Sequence, residues 1–307
     1  MSAPEPPAEA LVRIAGGPLE AEVLPAVGAR IHRLRAFGTD VLRTPHDLRP
    51  HTDDPWFYGS YPMAPWCNRV PAGPAVAAGR PIDLAPSFPD GTAIHGQVAR
   101  RAWDVVEVGA TRATFAVTAG GDGWPWPYEV RQRVAIEGPV LRLTMLLTNR
   151  STDPMPGGIG FHPWFRRPVQ VAIAAAAVHP SNLATGPHPI AVTGAFDRRR
   201  LEPLPEGLDA TWTDLGEPPV VLDWPASGIR ATMTFEAPGS SRFVVAASPL
   251  GSDAVAVEPQ THAPDGLRRL ALGEPGALAL IEPGGSLEIA VSLAFERTAG
   301  SDDGPQR

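Results

Sequence analysis

Lysine is absent from this chain of 307 residues, so all 26 of its basic residues are arginine. A chain without lysine cannot form the Schiff base of lysine-dependent enzymes or of PLP enzymes, and it lacks the lysine of a phosphate-binding P-loop. The motifs Gly-x-Gly-x-x-Gly and Gly-x-Ser-x-Gly are also absent. Dinucleotide binding and serine-hydrolase chemistry therefore have no motif in this sequence.

Cysteine is nearly absent, since Cys67 is the only one. A single cysteine excludes an intrachain disulfide and a cysteine-based metal cluster. Cys67 follows Trp66 in the apolar run "APWCNRV", and free cysteine usually behaves as a small hydrophobic residue. We predict an inert packed thiol. The spacings His-x-His and His-x-x-x-His are missing, so the sequence predicts no metal site.

Charged residues make up 19% of the chain, with a net charge of −7 and a pI near 5.6. This balance argues against nucleic acid or an anionic membrane surface as the main partner. The N-terminal "MSAPEPPAEA" has neither a basic region nor an apolar core, and no apolar run approaches the about 18 residues that span a bilayer. We expect a cytoplasmic protein. Monomer and homodimer both remain open.

The hydrophobic pattern has a period of two residues, which is typical of strands. Residues 128–136 and 140–149 alternate on either side of the turn "EGP" and predict a hairpin. Residues 286–296 alternate in the same way, and residues 111–119 and 240–249 are shorter strand candidates. The 37 prolines and 31 glycines leave little room for long helices.

One further segment, 169–180, is compatible with a helix, but its β-branched start and final proline favour a strand that runs into a loop. We predict an all-β fold: a large antiparallel β-sandwich in one domain over residues 1–307. Residues 1–9 and 298–307, rich in small, charged and proline residues, are predicted to be flexible tails.

Polar residues occur in four short apolar motifs: Asn68 and Arg69 in "PMAPWCNRV", His95 in "AIHGQVARRAW", His162 in "GIGFHPWF", and Glu258 in "VAVEPQTHAP". Apolar burial can move the pKa of a histidine or a glutamate toward neutrality, where proton transfer is efficient. Together these motifs predict one partly buried acid-base site for a small polar substrate.

Each residue also has a structural interpretation. Arg69 could be a surface loop residue, and His95 could be a core histidine with satisfied hydrogen bonds. Glu258 closes the strand-like "DAVAVEPQ", where Pro259 is expected to end the pairing. A carboxylate there is costly unless it is paired or used. Trp124 and Trp126 could form a platform for sugar stacking or anchor the core.

In this order and at these separations, "PMAPWCNRV", "HG....R.W", "GFHPWF" and "VEPQTHAP" resemble the aldose 1-epimerase (galactose mutarotase-like) superfamily over roughly residues 15–295. The resemblance implies a large antiparallel β-sandwich that interconverts sugar anomers without metal or organic cofactor. It also implies site roles by position: Glu258 as general base, His162 as general acid, and Arg69, His95 and Asn68 as groups that hold the sugar, with Asp209 of "GLDATW" as a substrate-binding aspartate.

The chain departs from the family pattern at Ala99, where many relatives have an arginine four residues after the motif histidine; here Arg100 and Arg101 follow instead. Those two arginines, or the cluster Arg198–Arg200, could grip a phosphate, so a hexose-6-phosphate 1-epimerase is an alternative to an enzyme of the free aldohexose. A non-catalytic sugar-binding β-sandwich and a polysaccharide-processing enzyme are further alternatives. Glu258 and His162 argue against a pure binder, which needs no acid-base pair.

Overall fold

The computed structural model describes residues 11–182 and 188–298, and β-strands form nearly all of their regular structure. The described residues contain two short helices, α1 (Pro50–Asp53) and α2 (Gly266–Leu272), and 3₁₀ turns at Gly194–Phe196 and Pro225–Ser227. The predicted scarcity of long helices is confirmed over this part of the chain. The predicted tails lie outside the described residues except for Thr298, whose N–H donates to Gly228 O.

The strands are, in chain order, β1 (Val12–Gly16), β2 (Leu19–Leu24), β3 (Arg30–Ala36), β4 (Thr39–Asp40), β5 (Ser60–Met63), β6 (Arg69–Pro71), β7 (Gly73–Ala77), β8 (Arg80–Leu84), β9 (Thr92–Ile94), β10 (Asp104–Val108), β11 (Arg112–Gly121), β12 (Trp124–Glu137), β13 (Val140–Asn149), β14 (Met155–Gly157), β15 (Gly160–Arg166), β16 (Gln170–His179), β17 (Ile190–Ala191), β18 (Leu208–Trp224), β19 (Ile229–Glu236), β20 (Phe243–Ser248), β21 (Ala254–Gln260), β22 (Ala279–Ile281) and β23 (Ser286–Arg297). Each period-two stretch named above falls on one of these strands, and the predicted hairpin is β12–β13.

Seventeen strands form one antiparallel sheet. Its pairing runs β1-β2-β3-β5-β15-β21-β20-β18-β19-β23-β13-β12-β11-β10. Strand β16 also pairs with β18, β17 pairs with β16, and β4 pairs with β3. The sheet folds over on itself into two facing layers. Ile31 of β3 and Phe161 of β15 line the same narrow internal gap as Leu143 of β13 and Val291 of β23. The predicted antiparallel β-sandwich is therefore confirmed.

Residues on both faces of β15 and β21 are buried, which explains why their sequences read as continuous apolar runs. Successive side chains of a strand point to opposite faces. Phe161 and Phe165 of β15 belong to the main core between the layers. His162 and Trp164, which alternate with them, line the cavity on the other face.

The expected end of pairing at Pro259 is wrong. Strand β21 continues to Gln260, and Pro259 pairs with Val244 of β20. Proline has no N–H for a ladder, but the ladder between β15 and β21 is not continuous at this point: it is registered at Gly160–Gln260 and resumes at Trp164–Ala256. The gap accommodates Pro259 inside the strand, and the register of β15 and β21 sets Glu258 across from His162.

Candidate active site

One cavity of about 280 Å³ brings together all six residues singled out in the sequence. This volume lies near the lower end of the range of small-molecule sites, about 300–1,000 Å³. The residues that line it are Trp56, Phe57, Tyr61, Asn68, Arg69, Phe88, Ile94, His95, His162, Trp164, Asn182, Gly207, Leu208, Asp209, Val245, Ala247, Pro249 and Glu258. The cavity therefore combines an apolar wall with a set of polar side chains that form its polar end: Asn68, Arg69, His95, His162, Asn182, Asp209 and Glu258.

His162 and Glu258 form the centre of the polar end. The distance from His162 Nε2 to Glu258 Oε1 is 3.1 Å, and both side chains are buried. Burial lowers the pKa of His162 to about 3, and the positive charges of Arg30 and Arg69 act in the same direction. Burial also raises the pKa of Glu258 well above its ordinary value, with the charge of Asp209 adding to the effect and that of Arg69 opposing it.

Both shifts favour the uncharged form of each group, so they favour a neutral imidazole facing a carboxylic acid. A neutral imidazole facing a carboxylic acid and an imidazolium facing a carboxylate contain the same number of protons, and the 3.1 Å contact lets the proton move between them. His162 Nδ1 and Glu258 Oε2 are buried without a hydrogen-bond partner in the described part of the chain. The pair thus has a transferable proton, and each side chain has one buried polar atom that could bind a substrate hydroxyl group.

His95 is held by a pair of hydrogen bonds to Asn68. The Asn68 N–H donates to His95 Nδ1 at 3.3 Å, and the His95 N–H donates to Asn68 O at 3.1 Å. Both residues have positive φ angles, 55° and 57°, a conformation that costs free energy and tends to occur at functional sites. Burial, helped by the charges of His162 and Arg69, lowers the pKa of His95 well below its ordinary value. The neutral ring then carries its proton on Nε2, as a hydrogen-bond donor.

Aromatic rings pack around the two histidines. Tyr61 stacks on His162 with centroids 4.6 Å apart, and His95 meets His162 edge-on at 4.9 Å. The carbonyl of Trp56 accepts hydrogen bonds from Tyr61 Oη at 3.1 Å and from Trp164 Nε1 at 2.6 Å. The imidazole of His162 therefore lies against buried aromatic rings that are fixed by hydrogen bonds, which favours pre-organised acid-base chemistry.

Two polar residues of the site were missed by sequence reasoning. Asn182 lines the cavity, donates through Nδ2 to Asp209 Oδ1, and accepts through Oδ1 from the Thr211 hydroxyl. Asp90 accepts from Arg69 Nε at 2.7 Å, while Arg69 Nη1 lies 3.6 Å from Asp209 Oδ2. No local pattern marks Asn182 or Asp90, because their partners are distant in sequence.

His262 also has a role that its spacing did not indicate. Its Nε2 accepts from the Cys67 N–H at 2.9 Å, and its Nδ1 donates to Ala263 O at 2.7 Å. Burial lowers its pKa to about 4 although the bond to Ala263 opposes the shift, so the neutral ring keeps this donor–acceptor pattern at neutral pH. His262 thus fixes the segment that carries Asn68 and Arg69.

Other candidates do not line the cavity. Trp124 and Trp126 are fully buried in the main core, so they are core anchors and not a stacking platform. Cys67 is buried, and burial raises the pKa of its thiol well above the ordinary value, in agreement with an inert residue. Arg100, Arg101 and Arg198–Arg200 do not line the cavity.

Across residues 11–182 and 188–298, no group of three His, Cys, Asp or Glu side chains has an arrangement that could hold a metal ion. Over the same residues, neither helix has the length and apolar character needed to traverse a bilayer.

Comparisons with known proteins agree with this fold. YphB, an uncharacterized protein of Escherichia coli K12, is 25% identical over 250 residues, covering 77% of this chain and 83% of its own. An E. coli K12 crystal structure provisionally described as an aldose 1-epimerase has a TM-score of 0.79 at 22% identity, covering 94% of this chain and 99% of that one.

A galactose mutarotase-like protein from Clostridium acetobutylicum has a TM-score of 0.79 at 18% identity, over 93% of this chain and 95% of its own. These structural likenesses show the fold. The family itself is shown by the aldose 1-epimerase model, which matches residues 11–238. The chain belongs to the aldose 1-epimerase family.

Proposed function

We propose that this protein is an aldose 1-epimerase that interconverts the α and β anomers of a free aldohexose by acid-base ring opening. The observation that carries the proposal is the 3.1 Å contact between His162 Nε2 and Glu258 Oε1 at the polar end of the cavity. The hydroxyl oxygen on C1 and the ring oxygen are bonded to the same carbon. A base and an acid that act on both must therefore lie close together.

The proton inventory of the pair matches this chemistry. The Glu258 carboxylate takes the proton of the C1 hydroxyl while the His162 imidazolium gives its proton to the ring oxygen. The bond between C1 and the ring oxygen breaks, and C1 becomes an aldehyde. After rotation about C1–C2, the neutral imidazole takes the proton back as the hydroxyl attacks the other face of C1, and the carboxylic acid protonates the aldehyde oxygen. The pair ends with the single proton with which it began.

The charges around the cavity favour an unphosphorylated sugar. Arg69 is the one cationic side chain among the described lining residues, and it already contacts Asp90 and Asp209. The lining also includes the carboxyl groups of Asp209 and Glu258. A phosphate dianion would need unused cationic donors, whereas Asp209, Asn182 and the Nε2–H of His95 suit neutral hydroxyl groups.

The test is Glu258→Gln, which keeps the shape and hydrogen-bonding capacity of the side chain but cannot accept the C1 hydroxyl proton. We expect kcat for anomer exchange to fall by at least about 10²-fold, with KM less affected. Saturation-transfer NMR between the two anomers measures the exchange. Glu288→Gln, on the exposed side of β23, is the matched control and should keep wild-type kcat. Exchange by Glu258→Gln within a few-fold of wild type would refute the role of Glu258.

A further inference from the structure

A buried arginine, Arg30, lies behind the acid-base pair and outside the cavity lining. It is the first residue of β3 and is fully inaccessible to solvent. None of the carboxylates in the described residues forms an ion pair with it. Burial lowers its pKa to about 10, so it remains a cation at neutral pH. A buried cation without a counter-ion is costly and calls for an explanation.

The guanidinium of Arg30 ties together the segments that shape the site. Its Nη1 donates to Pro55 O at 2.7 Å, its Nη2 to Ala99 O at 2.7 Å, and its Nε to Val27 O at 3.0 Å. Pro55 directly precedes Trp56, whose carbonyl anchors the Tyr61 hydroxyl and the Trp164 indole. The planar guanidinium presents its N–H donors in fixed directions, so it holds these three carbonyls in a defined arrangement.

Arg30 also contacts the ring that supports His162. Its Cζ lies 5.2 Å from the centroid of Tyr61, and Tyr61 stacks on His162 at 4.6 Å. A positive charge at this position disfavours a second positive charge on the imidazole, and the apolar surroundings screen the interaction little.

We propose that Arg30 is a positioning residue for His162: it holds the Tyr61–Trp56 wall against the imidazole, and its charge makes the imidazolium a stronger proton donor to the ring oxygen. The proposal rests on the acid role of His162 in the proposed function. On this proposal the unfavourable burial of the Arg30 charge is explained by its role in catalysis, because a neutral side chain could have filled the same space.

Other groups also act on His162. Besides Arg30 on β3, these are Tyr61 on β5, Arg69 on β6, His95 after β9, and Glu258 on β21. Burial is the main reason that the pKa of His162 is low, and the charges of Arg30 and Arg69 add to it. Removing Arg30 alone should therefore shift the titration of His162 upward in part and not restore an ordinary value.

The experiment compares Arg30→Gln, Arg30→Lys and the wild type. For Arg30→Gln we expect kcat to fall at least about tenfold, KM to change less than about threefold, and the acidic limb of kcat/KM to move to higher pH. For Arg30→Lys the acidic limb should stay near its wild-type position because the charge is kept. Its kcat should still fall, because an ammonium cannot reproduce the planar set of hydrogen bonds that the guanidinium donates to Val27, Pro55 and Ala99.

Arg269→Gln is the matched control, since Arg269 is also buried but belongs to α2 and does not line the cavity. Circular dichroism and thermal melts measure the folded fraction of each variant. If the kcat of Arg30→Gln fell only as much as that of Arg269→Gln, or only with the folded fraction, the proposal would be overturned.

A second readout separates this proposal from the proposed function. Nitrogen-15 NMR of labelled histidine follows the titration of His162 without any sugar. We expect its midpoint to be higher in Arg30→Gln than in the wild type, by about half a pH unit or more. If no variant and no wild-type protein exchanged anomers, the proposed function would fail. An unchanged His162 midpoint would instead refute the influence of Arg30.

Discussion

At the scale of single residues, the site depends on side chains that hold other side chains in place. The Asp209 side chain is about 40% exposed, and its contact with Arg69 Nη1 is long at 3.6 Å, so its orientation depends on further support. Asn182, almost fully buried, supplies that support: its amide bridges Asp209 and the Thr211 hydroxyl. The hydrogen bond that orients Asp209 therefore comes from a residue for which the sequence contains no signal.

This arrangement predicts the effect of Asn182→Ala. Loss of the amide frees Asp209 but leaves His162 and Glu258 in place. KM should rise about fivefold to tenfold, equivalent to about 1–1.5 kcal/mol, the scale of one hydrogen bond, with little change in kcat. Steady-state kinetics on both anomers measure the changes in KM and kcat separately. Thr211→Val, which removes only the second bond, should give a smaller rise. A fall in kcat at unchanged KM would contradict this role for Asn182.

At the scale of elements, the turn between β9 and the following segment places His95. Gly96 has a φ of 72°, and a Cβ at this position would lie 1.9 Å from the backbone oxygen of Ala64. Backbone cannot move away as a flexible side chain can. The close approach of these two segments, which brings His95 next to Asn68, is therefore possible only with glycine.

The expected result of Gly96→Ala is a loss of both stability and activity. The free energy of unfolding should drop by at least about 2 kcal/mol more than in Gly91→Ala, and kcat/KM should fall because His95 is displaced. Gly91 is a matched control, since its φ is 84° but nothing lies within 4 Å of a Cβ there. It isolates the cost of the positive φ, about 1 kcal/mol. Urea titrations measure both variants, and equal losses would refute the steric argument.

At the scale of the whole molecule, the distribution of arginine decides which substrate is expected. Arg101 pairs with Asp122 at 2.7 Å, and Arg199 pairs with Asp197. Arg198 lies 3.9 Å from Glu202. These three arginines are engaged with carboxylates of the surface. None of the five candidate arginines lines the cavity, and Arg100 lies behind the lining, with its Cζ 5.4 Å from the ring centroid of Trp56. The alternative of a 6-phosphate substrate therefore has little support from their positions.

We expect kcat/KM for an unphosphorylated aldohexose to equal or exceed that for its 6-phosphate. The reason is that bringing a dianion to a cavity lined by Asp209 and Glu258 is unfavourable without a cationic partner. Side-by-side saturation-transfer NMR of both compounds at low and high salt checks the prediction. A preference for the 6-phosphate that weakens with salt would support the alternative instead.

The buried histidines predict how the stability of the molecule depends on pH. His51 accepts from Arg30 Nη1 at 3.4 Å and lies 2.8 Å from His32 Nδ1. Burial, aided by the charges of Arg30 and His32, lowers the pKa of His51 to about 2. Below about pH 6.5 the imidazole of His51 is protonated in the unfolded chain but stays neutral in the folded protein. The free energy of unfolding therefore decreases as the pH is lowered.

His51→Gln removes this titration while its amide can still accept from Arg30 and donate to His32. Between about pH 7 and pH 4.5 the variant should lose less stability than the wild type, by on the order of 2 kcal/mol. Denaturant titrations at several pH values measure the difference. Parallel pH curves for the two proteins would contradict it. The variant should still be sensitive to acid, because burial also lowers the pKa of His32, His95, His162 and His262.

The sequence by itself determined the fold class, and it predicted the chemical groups of the candidate site. Period-two patterns as in β12, β13 and β23 mark strands, because alternate side chains of a strand must enter the core. The four polar motifs stand out because polar residues are costly in apolar runs. Both signals are local, and each can be read within about ten residues.

Only the tertiary structure decided how these groups meet. Pro259 looked like the end of a strand, yet β21 runs through it because the neighbouring ladder is interrupted there. The contact of His162 with Glu258, the support of Asp209 by Asn182, and the burial of Arg30 behind Tyr61 all join segments that are far apart in the chain. Such contacts depend on how strands are ordered and how the sheet folds over. That order follows from packing of the whole core, and no short stretch of sequence contains it.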